Sequence, residues 1–247
     1  MLVPLAFMNE TVEDVIINQQ KEAFRGMSSN DTFMSFLGIS DWDNVFTLEG
    51  IITTYLFNLF VPLLIAIATI VCLNKMGAKA EEDGTFEFVA SLPLSRKSIY
   101  YTHSFVAVVL GILLGFIWIN LIYAPIAIFG TTQDMEYVPL LKASLQSSLG
   151  GVTFGVLGFS IASFSGNSSQ AWTFGMGALG IEWISNMFSS RNNFFKFIDS
   201  NLSSFGAYGN PYKEGLAFDD LLLVTVKIVL FLLIGYFGFT KRSLNLR

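Results

Sequence analysis

Long apolar runs separated by charged or polar stretches fill the chain after residue 50. Each run is long enough to cross the roughly 30 Å hydrocarbon layer of a bilayer as a helix. The pattern predicts five spans, at residues 51–73, 102–129, 139–164, 170–188 and 218–240. The predicted fold class is therefore an all-α, polytopic membrane helix bundle. Pro62 lies inside the first run and is expected to kink it.

Polar segments divide this bundle and extend beyond it. Residues 1–50 form a polar, acidic N-terminal segment expected on the outer side, of which residues 1–8 resemble the remnant of an earlier span. The bundle, residues 51–240, contains a central loop at 75–101 and an outer loop at 189–217, and residues 241–247 form a short tail. In the outer loop, one face of an expected helix at the membrane interface is formed by Phe194, Phe195, Ile198 and Leu202.

The composition agrees with a membrane protein. Only 13% of the 247 residues are charged, against about 25% in typical soluble domains. Cys72 is the single cysteine and His103 the single histidine, so neither a disulfide framework nor a metal site is expected. No phosphate-binding glycine loop followed by lysine and a hydroxyl residue occurs. We therefore expect no ATP hydrolysis on this chain, no cofactor, no catalytic residue and no nucleic-acid partner.

The basic residues predict the orientation. Those near the central loop and the C-terminus crowd at span ends, namely Lys75, Lys79, Arg96, Lys97, Lys241, Arg242 and Arg247. The positive-inside rule then places that side in the cytoplasm, for a multi-pass protein of the cell membrane with a cytoplasmic C-terminus. Five spans leave the N-terminus outside, so an acidic segment would have to be translocated without a preceding span. One further span before residue 1 would remove that difficulty.

The central loop has an internal pattern of its own. Gly84 is expected to break a helix, and Asp83 or Thr85 to cap a new one that Pro93 ends. Ser95 can cap the helix that becomes the second span. One interpretation is a loop whose basic residues only set the topology. The other is a short amphipathic helix offered to a soluble partner, with a shared apolar face of Phe88, Val89 and Leu92.

The same loop gives the most specific sequence pattern of the chain. It reads Glu81-Glu82-Asp83-Gly84-Thr85-Phe86-Glu87, then Leu92-Pro93-Leu94-Ser95-Arg96. This pattern resembles the signature after the second span of permease subunits of ATP-binding-cassette type-2 exporters. Residues 36–40, 47–50 and 210–212 are similar to further segments of that family.

The resemblance implies a six-span permease that works as a homo- or heterodimer, with a separate ATPase subunit docked on this loop. It implies ATPase-coupling roles for Glu81, Glu82, Gly84, Glu87, Pro93, Ser95 and Arg96. The chain departs from the family in two respects. The first span is absent, and Lys241-Arg242 near the C-terminus lacks the usual acidic residue.

Two ionisable residues lie within apolar runs, where such groups are costly and are functional candidates. Glu182 and Lys227 are about 18 Å and about 20 Å from the inner ends of their predicted spans, at 1.5 Å per residue. The matching depths predict an ion pair between neighbouring antiparallel helices. The alternative has Lys227 extending outward and Glu182 facing a wet cavity alone.

The sequence thus favours a permease subunit of an ATP-driven exporter. A membrane anchor or immunity protein that binds a partner without transport is a second hypothesis. An intramembrane enzyme using Glu182 is a third, weakened because no second acid or histidine lies at similar depth. The paired glycines Gly111 with Gly115, and Gly151 with Gly155, indicate close helix packing and only weakly a dimer face.

Overall fold

The structure is a computed structural model that describes residues 60–129, 136–189, 192–204 and 218–243. All regular elements in these ranges are helices: α1 (Val61–Met76), α2 (Ala78–Glu82), α3 (Phe86–Ala90), α4 (Arg96–Phe129), α5 (Tyr137–Ser165), α6 (Ser168–Phe188), α7 (Asn193–Asn201) and α8 (Phe218–Lys241). The predictions for segment 1–50, for most of the outer loop and for residues 244–247 lie outside the described residues.

Four stretches of the described chain are helical, long and apolar enough to cross a membrane. They are Val61–Glu82, Arg96–Ala124, Tyr137–Ser165 and Leu221–Lys241. The helical, multi-pass character expected from the sequence is therefore present. Helix α6, predicted as a further span, is not among the four, because serine, glutamine, glutamate and asparagine residues interrupt its apolar sequence.

Helix α5 lies at the centre of the bundle and packs against α1, α4, α6 and α8. Its small residues let these neighbours approach closely. A Cβ on Gly151 would lie 2.6 Å from the carbonyl oxygen of Pro62 in α1. Ser144 donates a hydrogen bond of 2.7 Å to the carbonyl of Gly115 in α4. The predicted close packing at the glycines is thus confirmed, and it joins helices of one chain.

The predicted kink at Pro62 falls at the edge of the described residues. Pro62 is the second residue of α1, and Phe60 just before this helix already has right-handed helical backbone angles. Residues 51–59, where the predicted span begins, lie outside the described part.

One end of the bundle, which we call the loop end, is formed by residues 77–95 with the start of α4, the start of α6 and the end of α8. Gly84 has a φ of +74°, a left-handed conformation that favours glycine. Helix α4 begins at Arg96, and the Ser95 hydroxyl accepts a hydrogen bond of 3.1 Å from the Ser98 N–H. The predicted break at Gly84 and the predicted cap at Ser95 are therefore confirmed.

Helix α3 differs from its prediction. It ends at Ala90 and does not continue to Leu92, since the Leu92 N–H bonds the Val89 carbonyl in a turn. The Thr85 hydroxyl does not cap α3 but donates to the Ala80 carbonyl at 3.2 Å. The inward side chain is that of Phe86. Because α3 is so short, burial of the Phe86 ring sets which side of this helix points into the bundle.

At the opposite end, α7 folds back along α6. The rings of Phe188 and Phe195 lie 5.9 Å apart, and the Asn186 amide donates to the Asp199 carboxylate at 3.1 Å. The two helices are therefore antiparallel, so that later residues of α7 contact earlier residues of α6. The expected helix in the outer loop exists, but of its predicted apolar face only Phe195 and Ile198 are partly buried, while Phe194 and Leu202 are exposed.

Candidate functional site

A buried ion pair fastens the loop to the end of α8. Both terminal nitrogens of Arg242 bond the two carboxylate oxygens of Glu81, the Nη1–Oε1 distance being 2.9 Å. The side chains of Arg242 and Glu81 are 14% and 3% exposed. The Arg242 Nε also donates to the Ser163 carbonyl near the end of α5, at 2.9 Å. One arginine therefore joins the loop, α5 and α8.

The neighbouring Glu82 holds the start of α6. Its carboxylate accepts hydrogen bonds from the Ser168 N–H at 2.7 Å and from the Ser168 hydroxyl at 2.5 Å. A helix N-terminus favours an anion at this position. Lys79 lies 3.6 Å from Glu82 and 3.0 Å from Asp83, on the exposed side. The acidic run predicted to contact a partner thus bonds within the chain.

The start of α4 also contacts the residues that follow α8. Arg96 donates from Nη1 to the Arg242 carbonyl at 2.7 Å. Of the other predicted coupling residues, Gly84 and Pro93 lie in turns and Ser95 caps α4. Glu87 Oε1 is buried, with no hydrogen-bond partner among the described residues. All seven residues lie in the loop or at its end. Three of them, Glu81, Glu82 and Arg96, form hydrogen bonds to other parts of the bundle.

The exposed surface of the loop includes several large apolar side chains. Phe86 is 1% exposed and packs edge to face on Phe239 of α8, with ring centroids 6.2 Å apart. Phe88 is 78% exposed, and Leu92 and Leu94 are also exposed. One aromatic residue therefore anchors α3 in the bundle while the next presents its ring outward.

The structure brings Glu182 and Lys227 together, as their matching depths predicted. Lys227 Nζ lies 2.9 Å from Glu182 Oε1, and each side chain is 15% exposed. The ammonium also donates to the Leu202 carbonyl and to the Ser204 hydroxyl, the latter at 3.0 Å. Glu182 Oε2 accepts from the Ser204 N–H at 2.5 Å. These contacts form what we call the outer polar cluster.

The outer polar cluster fixes the end of α7. The Leu202 carbonyl belongs to the last turn of that helix, where a cation is favourable. The contacts of Lys227 with Leu202 and Ser204 were not predicted, because Leu202 was assigned to the apolar face of an interfacial helix and Ser204 to the loop after it. Nearby, burial raises the pKa of the Asp199 carboxyl above its ordinary value, although hydrogen bonds from Asn186 and Ser189 act in the opposite direction.

Known proteins provide no template for the contacts at the loop end or for the outer polar cluster. Comparison of the chain with models of known protein families, with curated proteins and with solved structures found no match. The contacts therefore have to be interpreted from their own chemistry. They can transmit movement between helix ends and neutralise buried charge.

Replacing Lys227 with methionine is expected to lower the free energy of unfolding by about 1.5–3 kcal/mol, the range for hydrogen bonds to charged groups. The methionine keeps the volume but leaves the Glu182 carboxylate without its ammonium partner. Unfolding in detergent by added sodium dodecyl sulfate, followed by circular dichroism, measures the loss.

The double variant with Glu182→Gln is expected to lose less than the sum of the two single variants, because the buried charge is then gone. Lys142→Met, at an exposed lysine of α5, serves as the matched control. Strict additivity of Lys227→Met and Glu182→Gln would show that the pair contributes no coupling.

Proposed function

We propose that the chain is the membrane-spanning permease subunit of an ATP-driven exporter, and that a separate ATP-binding-cassette ATPase acts on its loop end. The observation that supports this most is the construction of the loop. It exposes Phe88, Leu92 and Leu94, while the carboxylates of Glu81 and Glu82 are bonded to other helices. A surface of this kind suits a soluble partner that pushes on the bundle.

The bonds of the loop suggest how such a push would spread. Glu81 leads to α8 through Arg242, and Glu82 leads to α6 through Ser168. Arg96 links the start of α4 to the same Arg242 residue. A displacement of α3 by the ATPase would therefore move three helix ends together. Alternating exposure of a path through or beside the bundle is the transport step that this coupling would drive.

The proposal includes an orientation and a second subunit. The loop end faces the cytoplasm, where ATP is available, and the protein lies in the cell membrane with its C-terminus on that side. A second permease chain, identical or different, completes the transporter, as the sequence resemblance implies. Transport requires no covalent chemistry on this chain.

The test is co-purification of ATPase activity with the tagged full chain from its native membranes in mild detergent. We expect ATP hydrolysis to remain with the wild-type chain and to fall at least tenfold for Phe88→Ser, because about 1.4 kcal/mol of lost contact energy is a tenfold change in affinity. Phe197→Ser changes an exposed phenylalanine at the opposite end and should retain the activity. Absence of ATPase from the wild-type preparation, or equal retention by both variants, would contradict the proposal.

A further inference from the structure

An apolar groove runs along the outer surface of the bundle between α4 and α8, close to the loop end. It is open on one side, and it is lined by Tyr100, Tyr101, Ser104, Val229, Leu232, Leu233 and Tyr236; the space within it, including open solvent, is about 480 Å³. The Tyr101 and Tyr236 rings stack with centroids 5.5 Å apart. The Tyr100 hydroxyl donates to the Leu232 carbonyl at 2.8 Å. The groove walls are therefore fixed by contacts between the two helices.

The open side of this groove faces away from the bundle. Tyr101 is 60% exposed, and Val229 and Leu233 are each about half exposed. The lining is apolar over its length, and its tyrosines lie toward the loop end. In membrane proteins, tyrosine rings are common at the level of the lipid headgroups. In a bilayer, the hydrocarbon chain of a lipid is the group that meets such a surface.

Two lysines lie near the groove residues in sequence, on the side toward the loop end. Lys97 precedes Tyr101 by four residues and so shares its face of α4. Lys241 lies over the ring of Phe237, 5.8 Å from its centroid, and this ring in turn contacts the groove residue Tyr236 edge to face. Neither lysine has a carboxylate partner within the described ranges.

The position of Lys97 adds a second electrostatic argument. It lies in the first turn of α4, where the helix dipole is already positive and disfavours a cation. Arg96 adds another positive charge beside it. A negatively charged group bound at this point would neutralise the lysines and the helix terminus together.

We propose that the groove binds one anionic glycerophospholipid of the leaflet at the loop end. An acyl chain lies between Tyr101 and Leu233, and the phosphate lies between Lys97 and Lys241. Charge complementarity selects the headgroup, and the apolar groove distinguishes a lipid from free phosphate. The inference requires a bilayer around the apolar helices and does not depend on the proposed transport function.

Native mass spectrometry of the detergent-purified full chain tests this site with added phosphatidylglycerol or phosphatidylcholine. We expect one phosphatidylglycerol to bind at least tenfold more tightly than phosphatidylcholine. The double variant Lys97→Gln/Lys241→Gln should bind phosphatidylglycerol about 25-fold more weakly, since each basic residue near an anionic surface contributes about a fivefold change. Its phosphatidylcholine binding should fall by a smaller factor, because the choline ammonium already offsets the charge of the phosphate.

Two further variants identify the parts of the site. Leu233→Trp fills the groove and should weaken both lipids, while Lys142→Gln, at an exposed lysine near the opposite end, should weaken neither. Inorganic phosphate in millimolar excess should not displace the bound lipid. Equal affinity for the two lipids, wild-type binding by the double lysine variant, or an equal effect of Lys142→Gln would overturn the proposal.

Discussion

Replacing Arg242 with methionine is expected to destabilise the folded chain by about 3–5 kcal/mol, as in other cases where one partner of a buried ion pair is removed. The substitution removes both guanidinium bonds to Glu81 and the bond to the Ser163 carbonyl. Glu81 is almost fully buried, so water cannot readily replace the lost partner. Thermal unfolding in detergent, together with protease cleavage of the loop, measures the effect.

The adjacent Lys241 provides the control for this experiment. Its side chain is exposed and contacts only the Phe237 ring among the interactions described for it, so Lys241→Met should change stability by less than about 1 kcal/mol. The pair Arg242→Met with Glu81→Gln should recover part of the loss, because the buried negative charge is removed as well. Equal effects of Arg242→Met and Lys241→Met would show that the ion pair does not hold the loop.

Replacing Gly151 with leucine is expected to separate α5 from α1 at a cost of about 3 kcal/mol or more, the upper range for overpacking a core. Even a Cβ would lie 2.6 Å from the Pro62 carbonyl oxygen and 2.8 Å from the Ile65 Cβ. Backbone atoms cannot move aside as a flexible side chain can. The free energy of unfolding in sodium dodecyl sulfate measures the loss.

Gly177 of α6 is the matched site for comparison. A Cβ there meets nothing within 4 Å, so Gly177→Leu should leave stability unchanged or raise it slightly through helix propensity. If both leucine variants were equally stable, close packing of α5 on α1 would not be required by the fold.

The sequence predicted the elements better than their contacts. The lengths of the apolar runs predicted the long helices, and the matching depths of Glu182 and Lys227 predicted their ion pair. Both quantities follow directly from counting residues. Gly84 was identifiable since few other residues adopt its backbone conformation. These properties are local and need no knowledge of the neighbouring helices.

The missed contacts come from residues far apart in the chain. Glu81 and Arg242 are separated by 161 positions, and Arg242 was expected only to set the topology and to match the basic C-terminal ending of the family it resembles. Glu82 was expected to face a partner, yet it bonds Ser168, whose position depends on how α6 packs. The Phe86 side chain is buried because it packs against the Phe239 ring. None of these neighbours can be inferred from spacing.

The central place of α5 also has a consequence for biogenesis. Gly235 of α8 lies against Ser160 of α5, and α8 leaves the ribosome after α5. Until then, one side of α5 has no helical neighbour, and its hydroxyl groups face lipid or the insertion machinery. These helices therefore cannot pack fully in the order in which they are made, because α8 completes the burial of a helix inserted well before it.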